Sequence, residues 1–302
     1  MLGYSYSVST PVSPSFMREL NIVQQMLPST HYDERVDKQT GQPVKIDMLI
    51  FHASSKPAYG VINTLFMRGL SAHYVIGKDG TVIQCVPEEK RAWHAGNGTW
   101  HGVGDLNAHS IGIEIENPTY GHGHEYTPAQ VCVIQQLSAA IIGRYHIRPE
   151  NIMGHSDVAP TRKPDPGRLF PWAELAKEGI GLWPTDEAEV AVGESPKGLL
   201  EEIGYPTQPL NLKLEDSQDT IKHKTWLAEM AALYAFQRRF MPASIPDKEN
   251  LEMDTKEYLR HLESELPSIL ANKRSFPDEA TLKRLKTVAF AYRRARSETT
   301  DI

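Results

Sequence analysis

The chain has 302 residues, a formal net charge of −6, and 40% hydrophobic against 23% charged residues, the proportions of a globular protein with room for about two domains. The negative balance gives no sign of a nucleic-acid partner, and no run nears the roughly 20 apolar residues needed to span a bilayer. Cys85 and Cys132 are the only cysteines, too few for a disulfide framework or a four-cysteine zinc knot; Cys132 falls in an apolar helical pattern and is expected to be buried and inert.

The opening MLGYSYSVSTPVSPSF lacks a basic segment followed by an apolar one, so it does not read as a secretory leader. Residues 1–44 are rich in Pro, Ser and Thr with little periodicity, and residues 1–28 are read as an extended lead-in. KIDMLIFHAS (45–54) predicts a buried strand ending near His52. INTLFMRGL (62–70) predicts a short helix stopped by Gly69. SAHYVIGKDGTVIQCVP (71–87) reads as a hairpin, with Asp79-Gly80 supplying the positive φ of a tight turn. SIGIEIEN (110–117) alternates, placing Ile111, Ile113 and Ile115 on one face and Gly112, Glu114 and Glu116 on the other. TPAQVCVIQQLSAAIIGRYH (127–146) predicts a helix with Thr127 as N-cap and Pro128 at the first position. LFPWAELAKEG (169–179) predicts another, short one.

Strands alternating with helices up to about residue 184 argue for a single sheet flanked by helices, an α/β fold. The acidic stretch DEAEVAVGESPKG (186–198) reads as a linker, placed at 185–198. Beyond it, LLEEIGY, TWLAEMAALYAFQRRF, TKEYLRHLESEL and EATLKRLKTVAFAYRRAR are helical patterns, so 199–302 is expected to be an all-α module. In the second of these, Trp226, Met230, Leu233 and Tyr234 form one stripe.

GHSDVAPTRKPDPG (154–167) is too polar for a core strand, and its prolines forbid a helix through it. A catalytic zinc takes three protein ligands and leaves one position open. Among 12 histidines residue type alone selects nothing. Position points to His52, at the end of a buried strand, and to His155 and Asp165, in one proline-pinned loop.

THYDER (30–35), LIFHAS (49–54), SAHYVIGKDGTVIQCVP (71–87), RAWHAG (91–96), LNAHSIGIEIEN (106–117), ENIMGHSDVAP (150–160) and RKPDPG (162–167) occur in that order. Together they resemble the zinc-dependent N-acetylmuramoyl-L-alanine amidases of the AmpD/AmiD type, relatives of phage T7 lysozyme and the peptidoglycan recognition proteins. The resemblance covers about Ser29 to Trp183. Arg168 departs from the pattern, which has proline there.

The resemblance implies a single mixed β-sheet flanked by helices over 29–184. It implies one zinc ion per chain held by His52, His155 and Asp165, Glu114 as the catalytic glutamate, and Lys163 as the catalytic lysine. Glu116 shares the face of Glu114 and is the alternative base. Trp93 and His94 could line the substrate cleft or simply pack. Asn107 could bind substrate or hold a turn. His73 is read as structural or as cleft wall, and His101, His122 and His124 as surface residues. The helical module resembles, more weakly, the peptidoglycan-binding module that follows the catalytic domain in AmiD-type enzymes.

The implied reaction is hydrolysis of the amide between N-acetylmuramic acid, or its 1,6-anhydro form, and L-alanine. The expected partner is peptidoglycan or a muropeptide, with no nucleic acid, no membrane span and no obligate protein partner. The alternative is a recognition protein that binds peptidoglycan without cutting it. The helical module favours an envelope substrate, and the missing leader favours cytoplasmic recycling.

Overall fold

The computed structural model describes residues 22–24, 31–117, 125–185, 195–209, 212–245, 257–258, 260–264 and 277–298. The lead-in before residue 22, His122 and His124, the centre of the expected linker and the segment 265–276 lie outside the described residues.

The first half builds β1 (Ile22–Gln24), β2 (Tyr32–Glu34), β3 (Met48–Ser54), α1 (Ala58–Met67), β4 (Tyr74–Ile76), β5 (Val82–Gln84) and β6 (Lys90–Ala92). There follow α2 (Leu106–His109), β7 (Ser110–Glu116), α3 (Pro128–Tyr145), β8 (Ile152–Gly154), α4 (His155–Val158) and α5 (Trp172–Leu175). Beyond residue 185 the described chain forms α6 (Pro196–Ile203), α7 (Gln218–Phe240) and α8 (Glu279–Ser297), and residues 257–258 and 260–264 are also helical. The main sheet runs β1-β5-β4-β7-β3-β8, and β2 pairs with β6 separately. Only β4–β5 is antiparallel in the main sheet, so the sheet is mixed.

Local chemistry explains these elements. The β4–β5 turn closes with the Gly77 N–H on the Thr81 carbonyl at 2.8 Å, and Gly80 takes φ +85°, as Asp-Gly predicts. Thr127 and Gln130 form a reciprocal capping box at the start of α3, with Pro128 at the first helical position. Within the expected lead-in, β1 adds to the sheet edge beside β5.

Period-two alternation gives the sheet two different faces. Leu49 and Phe51 of β3, Ile111, Ile113 and Ile115 of β7, and Tyr74 and Ile76 of β4 pack under Ile134, Leu137 and Ile141 of α3. Cys132, expected to be buried, is exposed: it lies two residues before Ile134, a turn of about 200° onto the outer side of the helix. On the opposite face, Val75 and Ile83 meet Val61 and Ile62 of α1.

Further along that face, Met48, Ile50 and Met153 join Trp100 and Leu106 in one cluster with Leu199, Leu200, Leu233, Phe236, Leu285 and Val288. The C-terminal helices therefore cover the sheet itself. A continuous core crosses the boundary expected at residue 184. At this junction Gly204 stands so close to Trp100 that a Cβ would lie 2.7 Å from the indole.

The expected stripe on α7 is also redistributed. Trp226 is partly exposed and stacks on His223. Leu227, Ala231 and Tyr234 instead pack with Tyr258 and Leu262, while Leu233 and Phe236 face the shared core. A helix buried on two sides does not keep a single stripe.

Candidate active site

β3 and β7 are parallel neighbours in a register that sets His52 beside Glu114 and Ser54 beside Glu116. Alternation turns His52 and Glu114 away from α3, toward the face that also carries α1 and the C-terminal helices. β8 delivers His155 at the adjoining strand end. The polar loop then folds back: the Ser156 N–H donates to the Asp165 carbonyl at 2.7 Å. Gly154 permits this return, since a Cβ there would stand 2.6 Å from Pro166 Cδ.

The His52 and His155 Nδ1 atoms are 2.9 Å apart, and Asp165 Oδ2 is 3.3 Å from the first and 3.1 Å from the second. Among the described residues, these three form the one group of His, Cys, Asp and Glu side chains with ligand atoms all within 4.8 Å of one another. All three are buried.

Hydrogen-bond direction can be followed from carbonyls, which only accept. The Ser110 hydroxyl donates to the Leu106 carbonyl at 2.5 Å, so its oxygen accepts from His94 Nε2 at 3.2 Å. His94 Nδ1 then accepts from His52 Nε2 at 3.0 Å. In the same way, His155 Nε2 donates to the Ala95 carbonyl at 3.0 Å. The Nδ1 atoms of His52 and His155 are both left with lone pairs, so two imidazoles and a carboxylate aim acceptors at one point. That donor set fits a divalent cation, with the outer nitrogens held as metal-site histidines usually are.

The charges agree. Burial, helped by His52 and Arg162 and opposed by Asp165, pushes the His155 pKa down to about 3. Burial, with the neighbouring imidazoles, also holds His94 well below its ordinary value. For Asp165 burial alone would raise the pKa, but His155 and His52 outweigh it and keep the carboxyl well below the usual range. Burial raises Glu114, with Asp165 adding and His52 and Lys163 opposing, so these side chains share one electrostatic neighbourhood.

Glu116 is committed elsewhere. Its Oε2 accepts the Ala58 N–H at 2.9 Å and the Lys78 N–H at 3.3 Å, serving the start of α1, where Pro57 supplies no side-chain cap. Lys163 lies on the turn closed by its N–H to the Ala159 carbonyl.

Of the three residues expected to contact substrate, two face inward. His94 is buried behind His52, and its ring lies 2.4 Å from where a Gly112 Cβ would be. The Asn107 Oδ1 accepts the N–H groups of His94 and Ala95 at 3.0 and 2.7 Å, which clamps that loop. Trp93 lies nearer the surface, its indole donating to Asp33 at 3.1 Å.

His73 is structural: its Nδ1 accepts the Gly112 N–H at 2.9 Å, and its Nε2 lies 3.0 Å from the Lys90 carbonyl. His101 is no plain surface residue, for Arg296 of α8 reaches its ring at 2.8 Å. Sequence reasoning passed over two arginines. Arg162 donates to the Ala95 carbonyl at 2.6 Å, beside the His155 ring. Arg35 donates to the carbonyls of Glu88, Asn107, Ala108 and Ser110, tying down the entry to β7. Its presence in THYDER was the available signal.

A family model described as N-acetylmuramoyl-L-alanine amidase matches residues 41–168. The chain is 42% identical over 166 residues to the N-acetylmuramoyl-L-alanine amidase AmiD of Escherichia coli, an alignment spanning 50% of this chain and 59% of AmiD. It is 36% identical over 165 residues to the 1,6-anhydro-N-acetylmuramyl-L-alanine amidase AmpD of Escherichia coli, spanning 49% of this chain and 88% of AmpD. The solved complex of E. coli AmiD with the substrate anhydro-N-acetylmuramic acid-L-Ala-D-γ-Glu-L-Lys superposes with TM-score 0.54 at 30% identity, covering 80% of this chain and 98% of that one. Pseudomonas aeruginosa AmpDh3, solved with an anhydromuramic pentapeptide, superposes with TM-score 0.54 at 27% identity, covering 87% and 97%.

Proposed function

The chain belongs to the N-acetylmuramoyl-L-alanine amidase family of enzymes, and on that premise we propose that it hydrolyses the amide joining N-acetylmuramic acid to L-alanine, with His52, His155 and Asp165 holding one zinc ion. The observation that carries this reading is the convergence of two Nδ1 lone pairs and the Asp165 carboxylate within 3.3 Å of one another.

Zinc in that group would supply Lewis acidity that brings the pKa of water from 15.7 toward about 7. Glu114, held in the family's glutamate position, takes the proton from the attacking water. As the carbon–nitrogen bond breaks, it passes that proton to the departing amine of L-alanine. The Lys163 ammonium stabilises the negative oxygen of the tetrahedral intermediate, as an oxyanion hole does. The products are a free carboxylate on the lactyl group and a free L-alanine amino terminus. Trp93, half-buried beside Asp33, is the best exposed of the three candidates to touch substrate.

Anhydromuramic peptides are the ligands of both relatives solved as complexes, so an anhydro-muramoyl peptide is the first substrate to try. The protein is incubated with that peptide and, separately, with purified sacculi, with and without a zinc chelator. Chelator-sensitive release of intact stem peptides beginning with L-alanine is the expected result. Binding without release from either substrate would favour a non-cutting recognition protein.

A further inference from the structure

Asp157 is fully buried two residues after His155, and the reaction does not use it. Its carboxylate is nonetheless crowded with donors. Oδ2 accepts the Gly154 N–H at 2.9 Å and Arg239 Nη1 at 2.7 Å, and Oδ1 accepts the Tyr205 hydroxyl at 2.7 Å. Arg239, near the end of α7, donates its other terminal nitrogen to the Ile152 carbonyl at 3.1 Å. Its guanidinium lies 3.9 Å over the ring of Trp172, the indole that also flanks Gly154. Every hydrogen bond from Arg239 thus lands on the segment that carries His155. Both side-chain donors to Asp157, Arg239 and Tyr205, come from the helical half of the chain.

A fully buried ion pair is a poor way to gain stability, because its desolvation offsets its attraction. What the forked guanidinium does supply is direction, since two parallel N–H groups fix their acceptors' positions together. We propose that Arg239 is a positioning residue for the metal centre: through Asp157 and the Ile152 carbonyl it sets the direction in which His155 Nδ1 faces His52 and Asp165. The helical half is then part of the framework of the metal site. The inference rests on the reading that His52, His155 and Asp165 hold zinc.

The test uses the full chain and reads metal binding. Zinc affinity is measured by competition with a chelator of known affinity, and site geometry by the visible spectrum of the cobalt(II)-loaded protein. The double variant Asp157→Asn/Arg239→Met removes both charges at similar volume. It should bind zinc about 10–100-fold more weakly, the range typical of lost outer-shell support, with a shifted cobalt spectrum and unchanged circular dichroism. Leu285→Ala serves as the comparison. It loosens the same helical core without touching Asp157, and should lower the thermal midpoint while keeping wild-type zinc affinity.

Wild-type affinity and spectrum in the double variant would overturn the proposal, as would an equal loss of zinc in Leu285→Ala. If the double variant does not fold, Arg239→Lys carries the test. It keeps the charge but not the fork, and wild-type zinc affinity there would overturn the idea. A wild-type protein that binds neither metal would overturn the zinc reading itself, a result distinct from every variant outcome.

Discussion

Glu114 and Glu116 leave the same face of β7 two residues apart, and their surroundings assign them different work. The first is half-buried beside the metal-site groups, and the second is spent on two backbone N–H groups, one at the start of α1 and one in the β4–β5 turn. Glu114→Gln should keep zinc and lose about 10²–10⁴-fold in turnover, the size of a general-base contribution. Glu116→Gln should lower the thermal midpoint and leave turnover nearly intact. Turnover and zinc content measured on both variants decide the matter, and a dead Glu116 variant would reassign the base.

A pH profile probes the same carboxylate. Glu114 accepts a proton only when ionised, so activity is lost as pH falls through its pKa, which burial has raised. The Lys163 ammonium opposes that rise, so Lys163→Met should move the acid limb to higher pH as well as reduce turnover. His94→Ala should weaken zinc binding about 10–100-fold in a chelator competition, because His94 Nδ1 holds the tautomer of His52. Two of the proposed ligands, His155 and Asp165, stood out in the sequence because they share a loop too polar for any core, and His52 because it ends a buried strand. The setting of His94 was not, since a histidine behind a ligand and a histidine in a cleft have the same spelling.

At the scale of elements, sequence signals succeeded where one local rule sufficed. Thr127, Pro128 and Gln130 announce the start of α3, and Asp79-Gly80 announces the β4–β5 turn. They failed where packing from another element decides the outcome, as at Trp226 and His101. The last of these carries a prediction. Burial, with Arg296 adding, lowers the His101 pKa to about 4, against about 6.5 in an unfolded chain. Between those values the unfolded state binds more protons, so this contribution to stability is present above about pH 6.5 and is lost as pH falls toward 4. Thermal midpoints measured across that window should fall more steeply for wild type than for His101→Asn, a replacement that tolerates the residue's φ of +49°.

For the whole molecule, the acidic stretch near residue 190 reads as a linker between a catalytic domain and a helical module, and the two share one core. The clue to their union was in β3, where Met48 and Ile50 need an apolar cover that α3, on the other face, cannot give. Ending the chain after residue 184 would bare Met48, Ile50, Trp100, Met153 and Val158, each worth roughly 1.5–3 kcal/mol of lost burial for the larger side chains. The truncated chain should bind a hydrophobic dye and lose its near-ultraviolet circular dichroism. A soluble, well-packed truncation would show instead that the amidase part stands alone, as the 88% coverage of AmpD by half of this chain invites one to suppose.

The alternation along β3 has one more effect. Ile50 under the helices and His52 in the proposed metal site lie on one face because they are two apart, while Leu49 and Phe51 belong to the other. A slip of a single residue in pairing would exchange the two sets at once, hiding the histidine beneath α3 and turning a phenylalanine toward the ligands. If the site holds zinc as proposed, a misthreaded molecule would be blind to it, and metal uptake during refolding would report the fraction of chains in the right register.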